Sequence, residues 1–192
     1  MKGKEIILGI DPGTLVMGYG LICADKNNVS LIEMGVLQLS KHEDHAERLK
    51  LIFRKMDTLI KTHSPTAVAI EAPFYGKNVQ SMLKLGRAQG VAIAAAMMCG
   101  LNAVEYAPRK VKQSVTGRGN ATKEQVWQML QHTLNVVEDV RFMDAADAVA
   151  VAMCHHYQSR PGVLAAEKIP AQKPKKTSGW ASFVAQNPDR VK

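Results

Sequence analysis

The chain has 192 residues, 46% of them hydrophobic, and a formal net charge of +8, enough to bury a real core, most simply in one domain. No apolar run reaches the roughly 20 residues of a membrane span, and Ile6 to Ile10 is too short for the apolar part of a secretory leader. The cysteines Cys23, Cys99 and Cys154, odd in number and widely spaced, read as small buried hydrophobes of a reducing, cytoplasmic setting, with neither disulfide nor metal assigned to them.

Ile6 to Ile10 has the β-branched and leucine composition of a strand buried on both faces. Asp11 ends that run, Pro12-Gly13-Thr14 turns the chain, and Gly18 to Ile22 resumes an apolar strand. A hairpin is predicted, with a carboxylate at the C-terminal end of its first, central strand. Val29 to Leu39 reads as a third strand, with Ile32, Met34 and Val36 on one face and Gly35 marking a bulge. His45 to His63 carries Leu49, Ile52, Phe53, Met56 and Ile60 at helical spacing. Ala67 to Glu71 is another short buried strand that ends in a carboxylate. Coming after a helical crossover, it is expected to lie parallel to the first strand and beside it, which brings Asp11 and Glu71 to one edge.

Asn78 to Cys99 is a long predicted helix with Gly86, Gly90 and Ala94 at a spacing that lets another helix approach closely. Asn102 to Tyr106 is a fifth strand, and Pro108 opens a short helix that ends near Gly117. Gly117-Arg118-Gly119-Asn120 is a flexible basic loop that lacks the spacing of a P-loop. Thr122 and Gln125 form a capping box before a helix carrying Val126, Met129 and Leu130. Met143 to Tyr157 is apolar almost all the way round and is expected to lie buried against the sheet. Asp144 and Asp147 nevertheless occupy its first turns and share one face. His155 lies about 12 Å further along the axis, too far to join them, and with His156 is assigned to the surface or to packing. Past Pro161 the prolines and the Lys173-Pro174-Lys175-Lys176 run read as a mobile basic tail, 161–192, after a folded domain of residues 1–160.

The charge is unevenly placed. Residues 1–76 balance to zero, whereas 77–123 hold eight basic side chains against Glu105 alone. Within that stretch Lys77, Arg109, Lys112, Arg118 and Lys123 are candidate contacts to a nucleic-acid backbone. Beside it stand Asp11, Glu71, Asp144 and Asp147, drawn from two strand ends and one helix start. Oxygen-only ligands select hard cations, Mg²⁺ or Mn²⁺. Two such ions about 3.5–4 Å apart can activate a water and stabilise the leaving oxygen of a phosphoryl displacement. The element order, with carboxylates closing the first and fourth strands, resembles the ribonuclease H-like fold, an α/β architecture with a five-stranded mixed sheet flanked by helices.

The resemblance becomes more specific along the motifs IDPGT and GYG, then IEAPF, LKLGRAQGV, YAPRKVKQSVTGRGNATKEQV and DAADAVAVA. In this order and spacing, over about residues 5 to 158, the chain resembles the RuvC family of Holliday-junction resolvases. The resemblance implies that Asp11, Glu71, Asp144 and Asp147 are metal-binding catalytic acids holding two Mg²⁺ or Mn²⁺ ions. It matches Phe74 to an aromatic that stacks into the opened junction, and Lys112 and Lys123 to basic residues lining the cleft. Four-way junction DNA, a second copy of the chain in a homodimer and branch-migration proteins of the RuvA and RuvB type are the implied partners. The Asp-x-Gly-Thr turn also resembles the first phosphate loop of actin-like ATPases and sugar kinases, which normally need two such domains. A junction-binding module without nuclease activity is a third alternative, with little reason to retain all four acids.

Overall fold

The central strand, β1 (Glu5–Asp11), sorts its side chains alternately onto the two faces of a five-stranded sheet and so divides the interior into two cores. The computed structural model describes residues 4–25, 28–73, 76, 78–137 and 143–159. β1 pairs antiparallel with β2 (Val16–Asp25), and β2 with β3 (Asn28–Gln38); on the other side β1 pairs parallel with β4 (Ala67–Glu71), and β4 with β5 (Ala103–Tyr106). The order is therefore β3-β2-β1-β4-β5.

Local signals set the helix ends. α1 (His45–His63) starts where the Asp44 carboxylate accepts the backbone N–H groups of Ala46 and Glu47, and α2 (Val79–Met98) where Asn78 accepts that of Ser81. α3 (Pro108–Thr116) stops at Gly117, whose φ of 77° suits glycine. Thr122 and Gln125 close a reciprocal capping box on α4 (Lys123–Leu134). α5 (Met143–Gln158) is the last helix among the described residues.

Leu8, Ile10, Met17, Tyr19, Leu21, Val68 and Ile70 face α1 and α2. Ile7, Ile22 and Ala69 face the other core, built by α3, α4 and α5. On that second face β1 and β2 present Gly9, Gly18 and Gly20, and α5 lies almost in backbone contact with them. A Cβ at Gly9 would fall on the carbonyl oxygen of Ala148, one at Gly18 on that of Asp144, and one at Gly20 would stand 2.5 Å from Val149 Cγ2. The alanines and valines of α5 are the complement of this glycine floor, and Ala148 to Ala152 are all buried.

Several expectations need correction. The bulge lies opposite Leu21 and Ile22, where the pairing jumps from Glu33 to Leu31, so Ile32 is the extra residue and is exposed. Leu31 and Met34, three apart, consequently pack in the same core, and the alternation expected of Ile32, Met34 and Val36 fails. Gly35 serves a different need: a side chain there would collide with the ring and hydroxyl of Tyr19, its partner across the strands. In α4 the buried neighbour of Val126 and Leu130 is Trp127, while Met129 is exposed. His155 and His156 are both buried; a hydrogen bond of 3.0 Å joins His155 Nδ1 to the Tyr106 hydroxyl, and burial lowers the imidazole's pKa, with Glu5 opposing. Of the cysteines only Cys154 is fully buried, and Cys99 is exposed at the end of α2. The tail, 161–192, lies outside the described residues, whose elements all belong to one compact unit, Met1–Ser159.

Candidate active site

Strand alternation carries Asp11 onto the α5 face, two residues beyond Gly9, and carries Glu71 there two residues beyond Ala69. The parallel register pairs Ile10 with Ile70, so the next residues, Asp11 and Glu71, end side by side. Across the hairpin Asp11 faces Gly18. Because Gly18 has no side chain, the carbonyl of Asp144 settles onto the strand at that point and the first turn of α5 is drawn over Asp11. The four acids thus arrive from two strand ends and one helix start. One oxygen from each of Asp11, Asp144 and Asp147 lies within 4.8 Å of the others. Glu71 joins them through a hydrogen bond with Asp11.

Electrostatics shows what such a cluster costs. Burial, followed by the charges of Glu71, Asp147 and Asp144, pushes the Asp11 carboxyl up to about 9. Glu71 is raised too, chiefly by burial, although its bond with Asp11 and the nearby Lys123 and Lys112 pull the other way. Four partly buried carboxylates that repel one another, all oxygen donors, fit a hard divalent cation. A cleft of about 90 Å³ opens at Asp11 and Glu71, walled by Pro12, Pro73, Leu85 and Pro108.

Two of the predicted cations reach this cluster. Lys123, the first residue of α4, places its ammonium on Asp147 Oδ2. Burial works against that charge, but the carboxylates outweigh it and hold the ammonium above its ordinary range. Lys112 acts on Glu71 through its field. Arg109 is exposed, and its aliphatic stem lies where a Cβ on Gly119 would be, so it braces the Gly117–Asn120 loop. Arg118 lines a separate cleft of about 400 Å³ with Thr116, Gln125 and His132, which none of the four acids borders. Phe74 and Lys77 lie outside the described residues.

Arg48 is a site-supporting residue that periodicity gave no reason to single out. Its Nε donates to the His42 carbonyl at 2.6 Å and its Nη1 to the Thr14 carbonyl at 3.1 Å. The Leu39 and Ser40 amides donate to the Leu15 carbonyl at 2.8 and 3.0 Å. These bonds from outside the hairpin grip the turn that follows Asp11.

A mixed sheet in this order, with carboxylates at the ends of its first and fourth strands meeting those of the buried helix α5, is the ribonuclease H-like fold. The family model described as crossover junction endodeoxyribonuclease RuvC matches residues 7–155. The crossover junction endodeoxyribonuclease RuvC of Christiangramia forsetii is 49% identical over 192 residues, covering 100% of this chain and 95% of that protein. Its counterpart in Cytophaga hutchinsonii is 52% identical over 188 residues, covering 98% and 88%. The structure of Thermus thermophilus RuvC in complex with Holliday junction substrate aligns with a TM-score of 0.74 at 30% identity, covering 83% of this chain and 97% of that one. This chain belongs to the RuvC family.

Proposed function

We propose that this chain is a structure-selective endodeoxyribonuclease that resolves four-way DNA junctions by paired symmetric nicks, in recombination and repair, with Asp11, Glu71, Asp144 and Asp147 as its catalytic acids. The observation that carries this reading is the convergence of four carboxylates, far apart in sequence, on one partly buried cluster beside Lys112 and Lys123. Asp11, Asp144, Asp147 and Glu71 would hold two Mg²⁺ or Mn²⁺ ions. Bound there, such ions supply an activated water and neutralise the charge that develops on the leaving oxygen.

The chain's own residues do the rest. The glycine floor and the bonded turn after Asp11 hold the acids at fixed separation. Lys112 and Lys123 take phosphates of the strand to be cut, and Arg109, Arg118 and Lys77 add further backbone contacts. Phe74, three residues after Glu71, stacks on a base opened at the crossover. Stacking of that kind is worth roughly 1–3 kcal/mol.

Paired nicks on symmetric strands call for two identical sites, hence a homodimer. The face of α2 that carries Gly86, Gly90 and Ala94 supports a seam there. All three are exposed, a Cβ at either glycine would meet nothing within 4 Å, and Leu83 and Met97 extend the same exposed apolar stripe. Branch-migration proteins of the RuvA and RuvB type complete the assembly in a cytoplasmic setting, and residues 161–192 form a basic extension to the nuclease domain. Among the described residues no helix is long and apolar enough to cross a membrane. The deciding experiment is cleavage of a synthetic four-way junction with and without Mg²⁺, run beside linear duplex and ATP. Divalent-dependent cuts at the junction alone support the reading; turnover of ATP, or binding without cleavage, overturns it.

A further inference from the structure

We propose that Lys123 is an internal counter-ion that occupies the carboxylate cluster in the absence of a divalent cation, and that cation binding releases it to the DNA backbone. Metal and junction then bind cooperatively through one side chain. This deepens the nuclease reading and rests on it.

The start of α4 is rigidly placed. Thr122 accepts the Gln125 amide at 3.3 Å, and the Gln125 side chain accepts the Thr122 amide at 3.0 Å. The residue that follows this cap is Lys123, so its side chain leaves from a fixed point and crosses to the first turns of α5. There its ammonium takes Asp147 Oδ2 as an ion pair. Asp147 is one of the three acids whose oxygens lie within 4.8 Å of one another, so the ammonium sits where a cation bound by those acids would place its own charge. A divalent cation held by these acids repels the ammonium at so short a distance. Cation and Lys123 therefore compete for Asp147. Lys112 is the internal comparison: it bears on Glu71 only through its field, and among the described residues it forms no ion pair with any of the acids.

Once displaced, the Lys123 head remains at the mouth of the cluster, where its side chain is half exposed. A phosphodiester that approaches the acids from this exposed side meets the Lys123 head. The group that competes with the cation thus becomes a phosphate contact when the cation is bound. Reciprocity follows: whatever factor the metal contributes to junction affinity through Lys123, the junction returns to metal affinity.

The test compares the full-length chain with Lys123→Met and Lys112→Met. Isothermal titration of Mn²⁺ into DNA-free protein should show Lys123→Met binding about tenfold tighter than the parent, within the range of typical coupling, and Lys112→Met within about twofold of it. In EDTA, the salt dependence of junction binding, followed by fluorescence anisotropy, should be unchanged in Lys123→Met, since its ammonium is already engaged. It should flatten by about one unit of log–log slope in Lys112→Met. Mn²⁺ affinity unaltered by Lys123→Met, equal tightening in both variants, or a slope in EDTA that drops in Lys123→Met would each overturn the proposal. Lys123→Gln repeats each measurement in case the methionine perturbs folding. Asp144→Asn separates the two levels: undiminished Mn²⁺ binding there removes the acids as the metal site and the nuclease reading with them. Weakened binding leaves that reading standing whatever Lys123 does.

Discussion

Asp11, at about 9, keeps its proton at neutral pH in the cation-free protein. A carboxyl raised in the folded state contributes stability that is complete below its unfolded value, 3.8, and is lost as pH climbs through 9. In EDTA the melting temperature should therefore fall as pH rises across that window, and saturating Mg²⁺ should remove the slope. Asp11→Asn, uncharged throughout, should flatten the slope and melt about 5 °C higher at pH 8, while cleavage drops about a hundredfold or more. A lower melting temperature than the parent in EDTA would contradict the electrostatic account. Arg48 is the opposite case, a residue whose loss weakens structure and site together. Arg48→Met gives up two hydrogen bonds from a charged donor, about 2 kcal/mol in urea unfolding, and cleavage should fall about tenfold as the turn after Asp11 loosens. The four acids were legible because each interrupts a buried apolar run, where a charge is out of place. Arg48 and the Lys123–Asp147 pair were not, because an arginine or lysine on an amphipathic helix looks the same in sequence whether it faces solvent or spans to another element.

Periodicity resolved most elements closely: α1 and β4 have the expected bounds, and α2 is one residue shorter at each end than the expected Asn78 to Cys99, both of which serve as its caps. The β3 bulge escaped because a bulge belongs to a pair of strands, and no single strand encodes its partner's register. The glycines of GYG were visible as a motif, yet their purpose needed α5. Gly9→Ala tests that purpose. Its methyl would meet Ala148 and Ala152 of α5, so the helix must lift, at about 1–3 kcal/mol. Asp144 and Asp147 would move with it, so cleavage should fall further than stability accounts for. A variant that melts lower but cleaves at the parental rate would show that the acids are not seated by this contact.

For the molecule as a whole, the small residues of α2 were read from their spacing, but spacing cannot say whether such a row packs on its own sheet or faces outward. Here it faces outward. Gly90→Leu should leave the fold intact, since its side chain enters open space, and should yield monomers in analytical ultracentrifugation that nick one strand without the coordinated second cut. Sedimentation as a dimer would move the seam elsewhere. The uneven charge likewise resolves only in three dimensions: Lys112 and Lys123 turn toward the acids, whereas Arg118 lines a cleft of its own.

The glycine floor also bears on how such a protein is made. A chain leaves the ribosome from its N-terminus, so Asp11 and Glu71 emerge long before Asp144 and Asp147. Until α5 arrives, the face of the sheet that carries Gly9, Gly18 and Gly20 has nothing to close it. No subset of the nascent polypeptide holds a finished cluster, and an interrupted translation product ending before residue 143 would carry only two of the acids. Such a product would bring Asp11 and Glu71 to the sheet edge without Asp144 and Asp147, which come from α5, the last helix among the described residues.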